Sequence, residues 1–368
     1  MIPYIEILDW NEDKTSLEPS FLIEPSQYWS ELSYFETGQF EIYAPATIKN
    51  LQLKKGQFVK IPHKPYLWYI TSIQYEFNAD GARMIDAKGY EAKWIASKRI
   101  IRDPLQLPSD LEDAMTLLFD LNIGSRVNTP EREIKGLNYD FEACSGKTTE
   151  AQATRNNLYE YTLNLLKLHK IGLISVFENG KVVIKAIKGT SKDIVFSQSM
   201  DNLISATYYT SDEEKKTNCQ IVSSFSETTG SGTARTTITN EFVAYEPDED
   251  EGESGIDRAE ITINPNLSTK VQQEDGTEVE IDPSSQTFIN MQKAEGKSAL
   301  AEKISVVNFD AQIDLKYSQY KFAVDFFIGD LVNVRDEYFG YEASARILKY
   351  TFKQDASGYG EEAEYGTE

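Results

Sequence analysis

The sequence predicts an α+β protein, mainly β, with two related, tube-like β-barrel domains and two smaller α/β domains. Three observations carry this. Apolar and polar residues alternate at both ends of the chain, the period of a half-buried strand, and Tyr (21) and Phe (18), which favour strands, are abundant. Helical spacing is confined to the interior. One phrase occurs twice: Gly56-Gln-Phe-Val-Lys-Ile61 returns as Gly329-Asp-Leu-Val-Asn-Val334.

Residues 1–102 read as the first β-domain. Phe40 to Tyr43 alternates, and so does Leu67 to Phe77. In that run Leu67, Tyr69, Thr71, Ile73, Tyr75 and Phe77 share one face, with Trp68, Ile70, Ser72, Gln74 and Glu76 on the other. Asn78-Ala-Asp-Gly81 supplies a turn, and the run through Gly89 returns as its antiparallel partner. After Arg102 the texture changes. Asp103-Pro104 and Leu107-Pro108 interrupt regular structure. Ser109-Asp-Leu-Glu112 is a capping-box pattern opening a helix with Leu111, Met115 and Leu118 on one face. A second helix is expected over Asn157 to His169, burying Leu158, Tyr161, Leu165 and Leu168, with Gly172 placed to end it. Asn179-Gly180 between alternating runs signals a two-residue hairpin. Residues 103–195 therefore form a small α+β domain.

The second β-domain is expected to be discontinuous, at 196–245 and 304–368, with strands near Ile204–Tyr209 and Asn218–Ser223. The Ser-, Thr- and Gly-rich stretch Phe225–Thr237 reads as a hairpin tip. A small inserted domain occupies 246–303. It begins with the acidic run Glu246–Asp257, a solvated loop by its single-sign charge. A short alternating run (Ala259–Ile263) follows, then a helix over Gln286–Lys303 that Gly296 weakens.

The repeat extends beyond its opening phrase. Ile73, Tyr75 and Phe77 align with Leu348, Tyr350 and Phe352, the turn at 78–81 with Asp355-Ala-Ser-Gly358, and Phe40 and Ile42 with Phe322 and Val324. A duplicated β-domain has a geometric consequence. Three such chains present six similar units about an axis, so a threefold assembly can cap a sixfold ring.

Composition excludes several functions. With 37 basic and 59 acidic residues the net charge is −22, the wrong sign for displacing counterions from duplex phosphate. It suits a soluble surface, or a passage to which polyanions must not adhere. Cys144 and Cys219 make no disulfide framework, and a reduced, cytosolic state is expected. No signal peptide or membrane-spanning run is visible. His63 and His169 have no local ligand or triad partner, and HExxH, CxxC and GxSxG are absent. Ser145-Gly-Lys-Thr-Thr-Glu150 looks like the end of a phosphate loop, but Phe141 stands where the bend needs glycine. The acidic run lacks the spacing of a calcium loop. Catalytic, cofactor-binding and metal-ligating residues are accordingly all expected to be absent. The competing reading is a carbohydrate-binding or glycan-hydrolysing β-protein, its aromatics stacking on sugars and a carboxylate pair cutting.

The order of features resembles the tail-hub (baseplate hub, or tail-associated) proteins of siphophages. The resemblance rests on Gly89-Tyr-Glu-Ala-Lys-Trp-Ile-Ala-Ser-Lys-Arg-Ile-Ile101, the helix at 112–122, the helix–Gly–hairpin unit at 157–186, and the closing Gly329–Val334 and Arg346–Phe352 phrases. It implies a fold related to the trimeric hubs of contractile-tail phages. The implied assembly is a homotrimeric, non-enzymatic ring at the virion tail tip, assembled in the host cytoplasm. The ring would join the sixfold distal tail protein or tail-tube ring to threefold tip or receptor-binding proteins. The tape-measure protein is a further implied partner, and DNA would pass through without specific binding. Many relatives carry a long C-terminal extension. This chain stops at Glu368, which argues against an enzymatic or receptor-binding module within it.

Overall fold

The structure is a computed structural model and describes residues 4–148, 151–229, 236–273, 275–313, 319–356 and 358–367. The first β region holds β1 (Ile5–Trp10), β2 (Leu17–Ile23), β3 (Gln27–Ser33), β4 (Gln39–Pro45), β5 (Phe58–Lys60), β6 (Leu67–Phe77) and β7 (Arg83–Glu91). The middle holds β8 (Leu105–Gln106), α1 (Leu111–Asn122), β9 (Leu137–Asp140), β10 (Gln152–Ala153), α2 (Leu158–Leu168), β11 (Gly172–Glu178) and β12 (Lys181–Ile187). Then come β13 (Ser191–Ser197), β14 (Leu203–Ser211), β15 (Asn218–Thr229), β16 (Thr236–Glu246), β17 (Glu260–Ile263), β18 (Lys270–Gln272), β19 (Glu278–Glu280) and α3 (Gln286–Glu302). The chain closes with β20 (Val306–Ile313), β21 (Leu331–Asp336), β22 (Tyr341–Asp355) and β23 (Gly358–Thr367).

One large sheet organises the molecule, in the order β14-β20-β23-β22-β3-β4-β7-β6-β5-β1-β2, with β13 and β21 attached beside β22. The path is open: β14 stands at one end and β2 at the other. The two barrels expected from sequence are thus joined edge to edge in one unclosed sheet, because β22 pairs with β3. Its core is dominated by alternating inward residues such as Phe40, Ile42, Trp68, Val332, Tyr350 and Phe352.

The middle region builds a second core from α1, α2 and the β9·β12·β11 sheet. The capping residue of α1 is Asp110 rather than Ser109. Its carboxylate accepts from the amides of Glu112 and Asp113, where it also favours the positive end of the helix dipole. Asn157 caps α2 in the same way. Gly172 does not end that helix. Lys170 takes the left-handed position (φ 55°) and Gly172 begins β11, bare because a Cβ there would sit 2.3 Å from the Tyr34 ring. Asn179 and Gly180 both have positive φ and close the β11·β12 hairpin, as a tight two-residue turn requires.

The strands at 218–246, expected within the second β-domain, form a separate sheet, β16-β15-β17, under α3. Residues 191–195, expected in the α+β domain, belong to β13, which pairs with β21. Gly296 does not break α3. A Cβ there would lie 2.9 Å from Ile221 and 3.0 Å from Glu246, so its absence lets the helix settle onto β15 and β16. Part of the expected hairpin tip, 230–235, and Ser357 of the last turn lie outside the described residues.

Candidate functional site

The repeat is written in hydrogen bonds. Gly56 has φ 95° and Gly329 φ 87°, a region that favours glycine. The Gly56 amide donates to the Ile70 carbonyl and the Ile70 amide to the Gln57 carbonyl, both at 2.9 Å. Gly329 and Asp330 make the same pair with Ile347, at 2.9 and 3.0 Å. Three residues upstream, the Lys54 amide donates to the Gln57 side chain at 2.8 Å, and the Phe327 amide to the Asp330 carboxylate at 2.9 Å. Each turn is thus tied by its own polar side chain, one an amide and one a carboxylate.

The strands follow suit. β3-β4-β7-β6-β5 and β14-β20-β23-β22-β21 have the same order. β6 carries a bulge between Ile70 and Ser72, and β22 one between Ile347 and Lys349. A bulge adds one residue to one strand and turns the following side chains over, so this shared defect fixes the alignment. Ile70 corresponds to Ile347, Ile73 to Tyr350 and Tyr75 to Phe352. The alignment expected from sequence slips by two residues. Phe40 is likewise matched by Phe309, each lying second from one end of an equivalent pairing with β7 or β23. Phe322 instead stacks on Tyr350, ring centroids 3.7 Å apart. One feature differs outright: β1 runs antiparallel to β5, while β13 runs parallel to β21.

The units join where β22, from Lys349 to Gln354, pairs with β3, from Ser33 back to Tyr28. Tyr350 and Phe352 are fully buried there. The equivalent stretch of β6 has β7 on one side, and its pairing with β5 ends at Tyr69. Tyr75 and Phe77 are 58% and 70% exposed. At the far end of the sheet β14 pairs, among the described residues, with β20 alone, and Tyr208 and Tyr209 are exposed.

Tyr34 ties the units to the middle region. Its hydroxyl donates toward the carbonyls of Lys170 and Ile187, at 3.0 and 2.9 Å, while its ring lies against Gly172, Gly329 and the Arg346 guanidinium. Beside it, Lys93 and Glu91 form an ion pair of 2.9 Å with both side chains fully buried. Glu91 accepts from the amides of Ser33 and Gly38, and Lys93 donates to the carbonyls of Ser33 and Leu173. Burial pushes the glutamate up and the lysine down from their usual ranges. All these partners are structural, so the pair is a clamp between β3, β7 and β11. Sequence reasoning missed it, since nothing in Glu-Ala-Lys-Trp signals a buried lysine.

A family model described as Siphovirus ReqiPepy6 Gp37-like protein matches residues 24–367. The chain belongs to this family. Among solved structures, the 43 kDa tail protein of prophage MuSo2 from Shewanella oneidensis is similar over 98% of this chain and 97% of its own, at 13% identity and a TM-score of 0.53. The tail protein from Neisseria meningitidis MC58 is similar over 99% and 96%, at 11% identity and a TM-score of 0.53. At such identities the likeness establishes a shared fold. No curated protein matches the chain.

The residues weighed for chemistry in this Gp37-like chain are dispersed. His63 sits exposed at φ 64° in the turn before β6. His169 caps the end of α2, and burial, helped by Lys188, lowers its pKa. Cys144 and Cys219 are buried free thiols, pushed up by desolvation to about 12 and about 11, which suppresses the reactive thiolate. Gly146 and Thr148 are stitched to the start of α1: the Leu111 amide donates to Gly146, and Thr148 bonds Ser109 and Pro108. This is a structural loop, with Thr149 and Glu150 outside the described residues. Among the described residues no group of three or more acidic, His or Cys side chains is placed to hold a metal, and no helix is long and apolar enough to cross a membrane. A cavity of about 540 Å3 lies between α2 and α3, lined in part by Tyr161, Asn164, His169, Glu295 and Lys297. Burial raises the Glu295 carboxyl to about 7.

Proposed function

We propose that the chain is a non-enzymatic structural hub of a siphophage tail tip. In this reading three copies form a pseudo-sixfold ring that joins a sixfold tail tube or distal tail ring to threefold tip components and surrounds the DNA exit channel. The observation that carries it is the doubled five-strand unit, with its repeated order, turn and bulge. One chain thereby supplies two near-equivalent faces, which is what a threefold body needs to meet a sixfold one. The charge of −22 supports a conduit, because a negative wall would not retain DNA. The location at the virion tip, assembly in the host cytoplasm, and contacts with the distal tail, tape-measure and receptor-binding proteins belong to the same reading.

The test is solution mass. Sedimentation of the purified chain, alone and with its distal tail neighbour, is expected to give a trimer, and electron micrographs to show rings. A strict monomer under both conditions overturns the hub. The glycan reading has less support: the described aromatics pack mainly in the sheet core, and the exposed ones on β6 and β14 lie on strand edges rather than in a cleft.

A further inference from the structure

The junction inside the chain specifies a junction between chains. Within one copy, β3 of the first unit covers the distal edge of β22 in the second. The equivalent of β3 is β14, and the equivalent of β22 is β6. Each has an edge with which, among the described residues, no strand of the chain pairs, although the pairings inside the two five-strand units are equivalent. The geometry points to β14 of one copy pairing antiparallel with the distal half of β6 in the next copy of this same chain. This inference rests on the ring reading above and deepens it.

The register can be written down. In the chain, Lys349, Tyr350, Thr351, Phe352 and Lys353 oppose Ser33, Leu32, Glu31, Ser30 and Trp29. The bulges map the first set onto Ser72, Ile73, Gln74, Tyr75 and Glu76. The pairings of β3 with β4 and of β14 with β20 map the second onto Ser211, Thr210, Tyr209, Tyr208 and Thr207. Ser72 therefore opposes Ser211, Ile73 opposes Thr210, Gln74 opposes Tyr209, Tyr75 opposes Tyr208, and Glu76 opposes Thr207. The match is chemically sound. No like charges face each other, and the exposed Tyr75 meets a tyrosine that is 43% exposed in the single copy. Cross-strand aromatic pairs of this kind stabilise sheets. An open strand edge is also a standing template for another strand, so leaving both uncovered would invite uncontrolled association. The contact is head-to-tail, so three copies close a ring if the rotation is threefold.

The experiment uses cysteine pairs in the full chain: Gln74→Cys with Tyr209→Cys, Tyr75→Cys with Tyr208→Cys, and a slipped control, Gln74→Cys with Thr207→Cys. Adjacent in-register pairs alternate between the two antiparallel pair types, so one of them has the closer Cα spacing. The slipped pair lies about 7–8 Å apart, too far for a relaxed disulfide. The native thiols are buried and contribute little background. Mild oxidation is expected to give a covalent species stopping at three chains for at least one in-register pair, and none for the control. Trimeric mass with no in-register cross-link, or with the control linking equally well, overturns the pairing and leaves the ring. A ladder running past three chains keeps the pairing and overturns the ring. A monomer at the highest soluble concentration, with or without the distal tail neighbour, overturns both.

Discussion

The two copies of the five-strand unit differ most where their geometry is most alike. In both, the fourth strand emerges from a bulge with a row of side chains on one face. In the second unit that row is Tyr350 and Phe352, fully buried where β22 pairs with β3 and packed against Phe322. In the first it is Ile73 and Tyr75, and Tyr75 is 58% exposed. The same backbone therefore serves as core in one copy and as surface in the other, and the side chains follow coverage rather than local pattern. The first unit has its own device: the Glu91–Lys93 clamp stands at the end of β7, whereas the equivalent end of β23 carries Thr367, paired in the sheet with Ala345.

The largest expected effect breaks that clamp. Lys93→Met strands a buried carboxylate and should cost about 3–5 kcal/mol of stability, read as a lower urea midpoint. Adding Glu91→Gln should restore part of the loss, since the stranded charge is then gone. A loss no greater than that of a surface substitution would mean the first unit does not depend on the pair.

The second test compares equivalent positions directly. Phe352→Ala empties a buried site and should cost about 3–5 kcal/mol. Tyr75→Ala should leave the unfolding of the single chain within about 0.5 kcal/mol of the parent while weakening self-association. Equal losses at the two sites would show that Tyr75 is already buried within one copy.

How much of this was legible depends on how local the cause is. Asn179-Gly180 could be read as a turn because positive φ is a property of those two residues. The Gly56 and Gly329 phrases could be matched for the same reason. The strand alignment slipped by two because a bulge leaves no mark in the residues that form it: Thr71 and Leu348 look like ordinary strand members. Phe309 went unrecognised because its equivalence to Phe40 lies in pairing with β23, not in its neighbours in sequence. That 218–246 leaves the large sheet was invisible as well, since its alternation serves either sheet equally. For the candidate edges, sequence shows apolar residues on strands but not which strand covers them.

The third test uses the paired glycines. Gly56→Ala meets the Tyr69 hydroxyl at 3.7 Å, an ordinary contact, so the cost is the backbone strain, about 1–2 kcal/mol. Gly329→Ala carries that strain and also drives a Cβ to 2.2 Å from the Tyr34 ring, adding about 1–3 kcal/mol for overpacking. Thermal unfolding of the two variants should therefore separate clearly, with Gly329→Ala the lower. Similar melting temperatures would show that the Tyr34 junction yields.

The smallest effect concerns what separates the units rather than what they share. The first unit passes from β3 to β4 through residues 34–38. The second inserts everything from 212 to 305, including α3, between β14 and β20. Glu295 on α3 faces the cavity against α2, its carboxyl raised to about 7 by burial. A folded-state pKa above the unfolded value means that the stability contributed is present in full below about 4.5 and is lost as pH rises through about 7. Hydrogen exchange in α3 should thus quicken between pH 5 and 8, beyond the intrinsic rate change, while β22 and β3 keep their protection. Glu295→Gln should flatten that dependence and raise protection at pH 8. If the α3 and β22 amides lost protection together, the insertion would be part of the unit's cooperative core, and the contrast between a bare first unit and an elaborated second one would concern sequence length alone.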